Sequence, residues 1–202
     1  MNYTLRMAAL DSSPWTSIIA DCAARGVVFG PGLSDQELRR QESACEFKFP
    51  PDLAEFLQAA LPTGRQWPNW RGGPEDFLAF SERVLDGILF DIEWNEFWAP
   101  SWGERPKNLL DARRVATELF KAAPPLIPIF AHRAVPSEHR LVGNPVLSVW
   151  QTDIIVYADS LANFLRFGYH PGERDGSEFA PGFHFWSELV DLNNAVPRRL
   201  TR

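Results

Sequence analysis

The chain has few of the residues that form disulfides and metal sites, and it lacks long apolar segments. Its 202 residues include only two cysteines, Cys22 and Cys45, and four histidines. Two cysteines in helical-looking segments make neither a disulfide framework nor a zinc site. No apolar run approaches the roughly 18 residues that cross a bilayer, and the first residues lack the continuous apolar core of a signal peptide. We therefore expect a cytoplasmic protein with reduced thiols and no membrane partner.

Catalytic and cofactor motifs are missing as well. The sequence contains no GxSxG, no HEXXH, no P-loop and no GxGxxG. His132, Glu138 and His139 lie close together, but their spacing matches no metal-ligand motif and no third ligand is evident. Neither cysteine has a neighbouring histidine that would mark a nucleophile. These absences predict a chain that is not an enzyme and uses no cofactor or metal.

A positive surface is also lacking. Twenty Lys and Arg against twenty-six Asp and Glu leave a formal net charge of −6. This balance argues against a nucleic-acid binder, which presents a basic face. It permits a basic protein partner, because complementary charge steers encounter. The alternative is an acidic surface that serves solubility alone.

The central part of the chain is rich in aromatic and β-branched residues. Fifteen Phe and eight Trp are present, and Leu126–Phe130, Val146–Trp150 and Ile154–Tyr157 read as three strands. The gap between the second and third strands is only Gln151-Thr152-Asp153, which predicts an antiparallel hairpin. Asp159 or Ser160 then caps a short helix.

Five amphipathic helices are predicted before these strands. Their starts are marked by Ser13-Pro14, by a capping box at Ser34 to Glu37, by Pro50-Pro51, by Pro74-Glu75 and by Asp111. The third helix carries an apolar stripe through Leu61, and residues 27–32 read as a connector. Phe183–Leu192 is a last helix or strand. Helices followed by a mainly antiparallel central sheet predict one α+β domain over residues 1–202.

The order of these motifs resembles the SUKH superfamily, the Smi/Knr-type domain, in a divergent bacterial-type form. The similarity covers residues 34–167, with an N-terminal helix and a C-terminal extension outside it. The residues that carry it are Pro50, Pro51, Phe56, Leu57, Ile127-Pro128-Ile129, His132-Arg133, Pro136, Asn144-Pro145-Val146, Ser148-Val149 and Asp153–Tyr157. The resemblance implies a non-enzymatic binding domain that uses a concave sheet face and its loops. Bacterial relatives are immunity proteins against toxins, often nucleases, and fungal relatives regulate cell-wall assembly.

An aromatic and acidic segment follows the fourth predicted helix. Tryptophan supplies much of the energy at interface hot spots, and acids beside it suit a cationic partner. The alternative is that the tryptophan rings cap the core while the acids face water. The candidate partner-binding residues in this segment are Glu93, Trp94, Glu96, Trp98 and Trp102.

Three further candidates belong to the strand region. A histidine such as His132 is able to titrate near neutral pH, Arg133 suits a carboxylate, and Asp153 would be a negative anchor at the sheet end. The structural alternatives are that Arg133 pairs with an acid such as Asp153, and that Asp153 is a turn residue that hydrogen-bonds its own backbone. The Trp67/Trp70 loop either stacks on a sugar or lies against the core.

Together these patterns favour a protein-binding domain, specifically an immunity protein that blocks the active cleft of a basic toxin. A regulatory interaction domain without a toxin partner is the first alternative. A domain that binds a small molecule or sugar through tryptophan-rich loops is the second.

Overall fold

The computed structural model describes residues 14–137, 142–168 and 183–195, and within them the predicted α+β fold is confirmed. The seven helices in these ranges are α1 Pro14–Ala24, α2 Asp35–Cys45, α3 Pro51–Ala59, α4 Glu75–Trp94, α5 Leu109–Ala122, α6 Leu161–Phe167 and α7 His184–Ala195. The six strands are β1 Val28–Pro31, β2 Ala60–Thr63, β3 Leu126–Phe130, β4 Arg133–Pro136, β5 Val146–Trp150 and β6 Asp153–Ala158, and a 3₁₀ turn covers Pro100–Trp102. Ser13, Glu138 and His139 lie outside the described residues.

The larger sheet is an antiparallel meander in the order β3-β4-β5-β6. The predicted hairpin is confirmed, with Trp150 opposite Asp153 across β5 and β6. A second hairpin joins β3 and β4 through Ala131 and His132. Alternate connections of a meander turn at the same end of the sheet. We call this end the hairpin end, defined by residues 131–132 and 151–152.

One face of the sheet packs on the first core. Ile127 and Ile129 of β3 and Val135 of β4 are buried there against α1, α3 and α6. The register places Arg133 opposite Ser148, and Ser148 opposite Ile155, on this same face. None of these last three side chains is fully buried. The helices therefore cover the β3 side of the face and the far ends of β5 and β6, where Val146 and Ala158 are buried, and leave the part of β5 and β6 near the hairpin open.

The other face carries a second core. Side chains that alternate with those of the open face point into it, as strand periodicity requires. Leu147 and Val149 of β5 and Ile154 of β6 are buried against Ile88 of α4 and Leu189 of α7. Helix α4 thus lies behind the sheet.

Two short strands replace elements that were predicted differently. The connector prediction for residues 27–32 is wrong, because Val28–Pro31 pairs antiparallel with Ala60–Thr63. The stripe through Leu61 overstates α3, which ends at Ala59, and Ala60 and Leu61 continue as strand. Leu61 is buried in the strand, as it would be in a longer helix, so the apolar pattern alone did not distinguish helix from strand at this position.

The helix ends follow local capping chemistry. Ser34 and Glu37 form the predicted capping box, and Ser160 caps α6 by accepting a hydrogen bond from the Asn163 N–H. The cap of α5 is Asn108 and not Asp111, since the Asn108 Oδ1 accepts from the Leu110 N–H at 2.8 Å. Residues 184–195 form a helix, which settles the alternative left open for Phe183–Leu192.

Helix α4 continues through Gly87 to Trp94, so the aromatic and acidic segment begins as helix. This helix is 20 residues long, yet neither it nor any other helix in the described ranges is long and apolar enough to cross a membrane.

Candidate functional site

Helix α4 passes behind the hairpin end and touches the β5–β6 turn. A Cβ added to Gly87 would lie 2.8 Å from the Cα of Gln151, so only glycine permits this approach. One turn later, Asp91 accepts hydrogen bonds from the Thr152 N–H at 2.9 Å and from the Thr152 hydroxyl at 2.6 Å. One turn earlier, the charge of Arg83 helps to lower the pKa of His132. The helix therefore borders both turns.

Asp91 is the anchor of this arrangement. Its side chain is only 4% exposed, and its second oxygen accepts from Asn95 Nδ2 at 2.6 Å. From α7, Asn193 Nδ2 donates to the Thr152 carbonyl at 2.7 Å. Because a buried carboxylate is stable only when its acceptor sites are filled, this network fixes the turn in one position.

Two of the eight tryptophans are exposed, and both lie at the hairpin end. Trp94 is 66% exposed and comes one turn after Asp91, while Trp150 is 63% exposed and directly precedes the turn. Phe90, also exposed, has its ring 6.4 Å from that of Trp94. Phe90 and Trp94 lie on the helix behind the sheet, whereas Arg133, Trp150 and Asp153 lie on its open face, so the two groups stand on either side of the same sheet end. We call the set Phe90, Trp94, His132, Arg133, Trp150 and Asp153 the hairpin-end surface.

The helical flank of this surface is acidic. Asp86, Glu93 and Glu96 are all exposed on or just after α4. Glu93 pairs with Arg113 of α5 at 3.1 Å. Asp86 and Glu96 have no ion-pair partner among the described residues. This flank therefore presents net negative charge beside Phe90 and Trp94.

The sheet side has a different character. Arg133 does not pair with Asp153, so that structural alternative is wrong. The guanidinium lies over the Tyr157 ring, with Cζ 4.3 Å from the ring centroid, and one of its nitrogens is 2.9 Å from Nδ1 of His132. Arg133 is in register with Ser148. Its side chain contacts Tyr157, which is four residues along β6 from Asp153.

His132 lies between Arg133 and Trp150. Its ring centroid is 6.1 Å from that of Trp150, edge to face. Partial burial lowers the pKa of the imidazole, and the charges of Arg133 and then Arg83 lower it further. The same Arg133 nitrogen is 2.5 Å from Nε2, so the guanidinium is in direct contact with this ring.

The later tryptophans of the segment belong to the second core. Trp102 is 8% exposed and stacks on Phe185, with ring centroids 5.5 Å apart. Trp98 is half-buried, and its Nε1 donates to the Gly103 carbonyl at 2.8 Å. Both rings take the core-capping position that was the alternative for this segment.

The Trp67/Trp70 loop also lies on the core. Trp70 is 1% exposed, and its carbonyl accepts a hydrogen bond from Gln41 at 2.7 Å. The Trp67 ring packs edge to face on Phe130 at 4.9 Å. Both rings therefore pack on the first core, Trp70 fully and Trp67 in part.

The two outer strands of the sheet offer little backbone to a partner. Pro128 in β3 has no N–H to donate. Asn193 Nδ2 donates to the Thr152 carbonyl in the turn and reaches that of Ile154, at the start of β6, at 3.4 Å. Near the hairpin end, these two carbonyls are therefore already engaged.

Sequence reasoning missed Trp150 and Phe90. Trp150 is in phase with the half-exposed Ser148 and out of phase with the buried Leu147 and Val149, so strand alternation places it on the open face. Phe90 lies off the buried stripe of α4. The signal in the sequence was an aromatic residue at a position of the strand or helix that does not face the core.

Comparison of the chain with family models, with curated proteins and with solved structures finds no match. Within the described ranges, no three His, Cys, Asp or Glu side chains come together as metal ligands would.

Proposed function

We propose that the chain is a protein-binding domain that docks through the hairpin-end surface, and that it acts as a SUKH-type immunity protein against a bacterial toxin. The observation that carries the proposal is the exposure of Trp94 and Trp150 beside a turn that Asp91 holds rigid. Exposed aromatic rings on a pre-organised support are the usual anchors of protein interfaces.

The charge of the helical flank indicates the partner. Asp86 and Glu96 lack ion-pair partners within the described part of the chain, and the whole chain carries a net charge of −6. Complementary potentials speed encounter and set specificity. A toxin with a basic substrate cleft fits this flank, and an immunity protein seated there would block access to the cleft without performing chemistry.

The test starts from the protein encoded by the neighbouring reading frame. We expect that protein to bind the chain and to inhibit cell growth unless the chain is co-expressed. Trp94→Ala and Trp150→Ala should each weaken binding about tenfold or more, as loss of a hot-spot residue does, and should reduce growth protection. Both variants should melt within a few degrees of the wild type, because their rings are exposed.

Val28→Ala is the matched control. Val28 is 66% exposed on β1, far along the chain from the hairpin-end surface, and its truncation should leave affinity unchanged. Unaltered binding by both tryptophan variants would exclude this surface as the interface. A bound neighbour that is harmless to cells would instead support a regulatory domain without a toxin partner.

A further inference from the structure

The arginines that are half-buried in the described ranges differ in what they contact. Four belong to this group. Three of them give an N–H to an oxygen of the same chain, namely Arg71 to Glu37, Arg105 to the Ile92 carbonyl and Arg113 to Glu93, at 2.7 to 3.1 Å. The fourth, Arg133, contacts the Tyr157 ring and the His132 imidazole, and its side chain has no oxygen acceptor among the described residues. Its fork of N–H donors is thus incompletely used.

The surroundings of Arg133 hold the guanidinium in place. Its Cζ lies 4.3 Å from the centroid of the Tyr157 ring, and that ring packs on Phe164 with centroids 6.0 Å apart. On the hairpin side stand His132 and Trp150. Aromatic walls reduce the water around a cation and raise the strength of an incoming charge-assisted hydrogen bond.

We propose that Arg133, with its aromatic surround, is a carboxylate subsite that receives an Asp or Glu side chain of the partner. This inference rests on the proposed protein-binding function and deepens it. No acid lies within 4.0 Å of Arg133 among the described residues. A planar carboxylate matches the guanidinium fork with two parallel hydrogen bonds.

The partner would therefore carry a mixed surface. Basic residues would face the Asp86 and Glu96 flank, and one acidic residue would enter the open sheet face at Arg133. Opposite charges at two places on one surface fix the orientation of docking better than a uniform patch does, since any other orientation brings like charges together.

A peptide titration tests the subsite without the partner. The ¹⁵N-labelled chain is titrated with acetyl-(Glu)6-amide while the indole N–H of Trp150 is followed by NMR, with acetyl-(Gln)6-amide as the uncharged probe. We expect a saturable, salt-sensitive shift with the glutamate peptide only. Arg133→Gln should weaken this binding about tenfold or more, and Arg133→Lys by less. Arg39→Gln, at an exposed arginine of α2, should have no effect.

Several outcomes would overturn the subsite. These are no shift in the wild type, an equal shift in a folded Arg133→Gln variant, or a larger shift with inorganic phosphate than with the peptide. If the peptide fails while Trp94→Ala and Trp150→Ala still weaken partner binding, the subsite alone is wrong. If those two variants leave partner binding unchanged, the proposed function fails, whatever the peptide does.

Discussion

Asp91 and Thr152, 61 residues apart in the chain, are joined by two hydrogen bonds to one carboxylate oxygen, at 2.9 Å from the backbone N–H and 2.6 Å from the hydroxyl. They link the helix behind the sheet to the turn at its end. The exposed Trp94 and Trp150 flank this contact in sequence. The candidate interface is therefore built around a buried polar contact.

Replacing Asp91 should destabilise the fold and disturb the turn. Asp91→Ala leaves the Thr152 donors and Asn95 without their acceptor, and we expect a loss of about 3 kcal/mol in the free energy of unfolding. Asp91→Asn keeps the shape of the side chain but retains only one acceptor oxygen, and its free energy of unfolding should fall by about half as much. Urea denaturation measures both. Asp86→Asn, at an exposed acid of the same helix, should stay within about 0.5 kcal/mol of the wild type.

Gly87→Ala should destabilise the protein, although alanine is the better helix former by about 1 kcal/mol. The added methyl would meet the backbone of Gln151 at 2.8 Å, so the helix and the turn must separate. Overpacking of this kind lowers the free energy of unfolding by about 1–3 kcal/mol. Gly30→Ala is the control, because its added Cβ meets nothing nearer than 4.0 Å. A stabilised Gly87→Ala protein would contradict the close approach.

Truncation of three tryptophans should separate core from surface. Trp102→Ala removes a stacked ring that is 8% exposed, and such changes reduce the free energy of unfolding by about 3–5 kcal/mol. Trp94→Ala and Trp150→Ala should change it by less than about 1 kcal/mol. Thermal melts of the three variants make the comparison. Equal losses would mean that Trp94 and Trp150 also cap the core.

The capping box of α2 should make stability fall in acid. Hydrogen bonding to the Ser34 N–H, and then to Arg71, lowers the pKa of Glu37 to about 2, below its ordinary 4.5. Because the folded pKa is depressed, this contribution is fully present above the unfolded pKa and is lost as pH falls from about 4.5 toward 2. Glu37→Gln keeps the geometry of the box without the charge.

The measurement is the difference in melting temperature between wild type and Glu37→Gln as a function of pH. We expect it to be positive and constant near neutrality and to shrink through the acid range. A difference that does not change between pH about 6 and about 3 would show that the ionised carboxylate is not what stabilises the box.

Elements with strong local signals were predicted at nearly their true bounds. Leu126–Phe130 and Val146–Trp150 match β3 and β5, and the three-residue gap predicted the hairpin of β5 with β6. Strands β1 and β2 were missed because they are four residues long, contain proline, and pair Val28 with Thr63 across 35 positions. Strand β4 was missed because Arg133 and Pro136 read as loop.

For the site, the sequence placed Trp94, His132, Arg133 and Asp153 among the candidates without relating the two segments. It could not tell Trp94, on the outer side of a helix end, from Trp102, which stacks in the core, since both sit in the same aromatic run.

The sequence by itself determined strands β3, β5 and β6, the hairpin between the last two, and the capping box of α2, because each depends on side chains a few positions apart. Only the tertiary structure decided that α4 lies against the turn and that Arg133 points to Tyr157 instead of Asp153. Those outcomes depend on the close approach at Gly87 and on strand register, which are set by packing between residues distant in the chain.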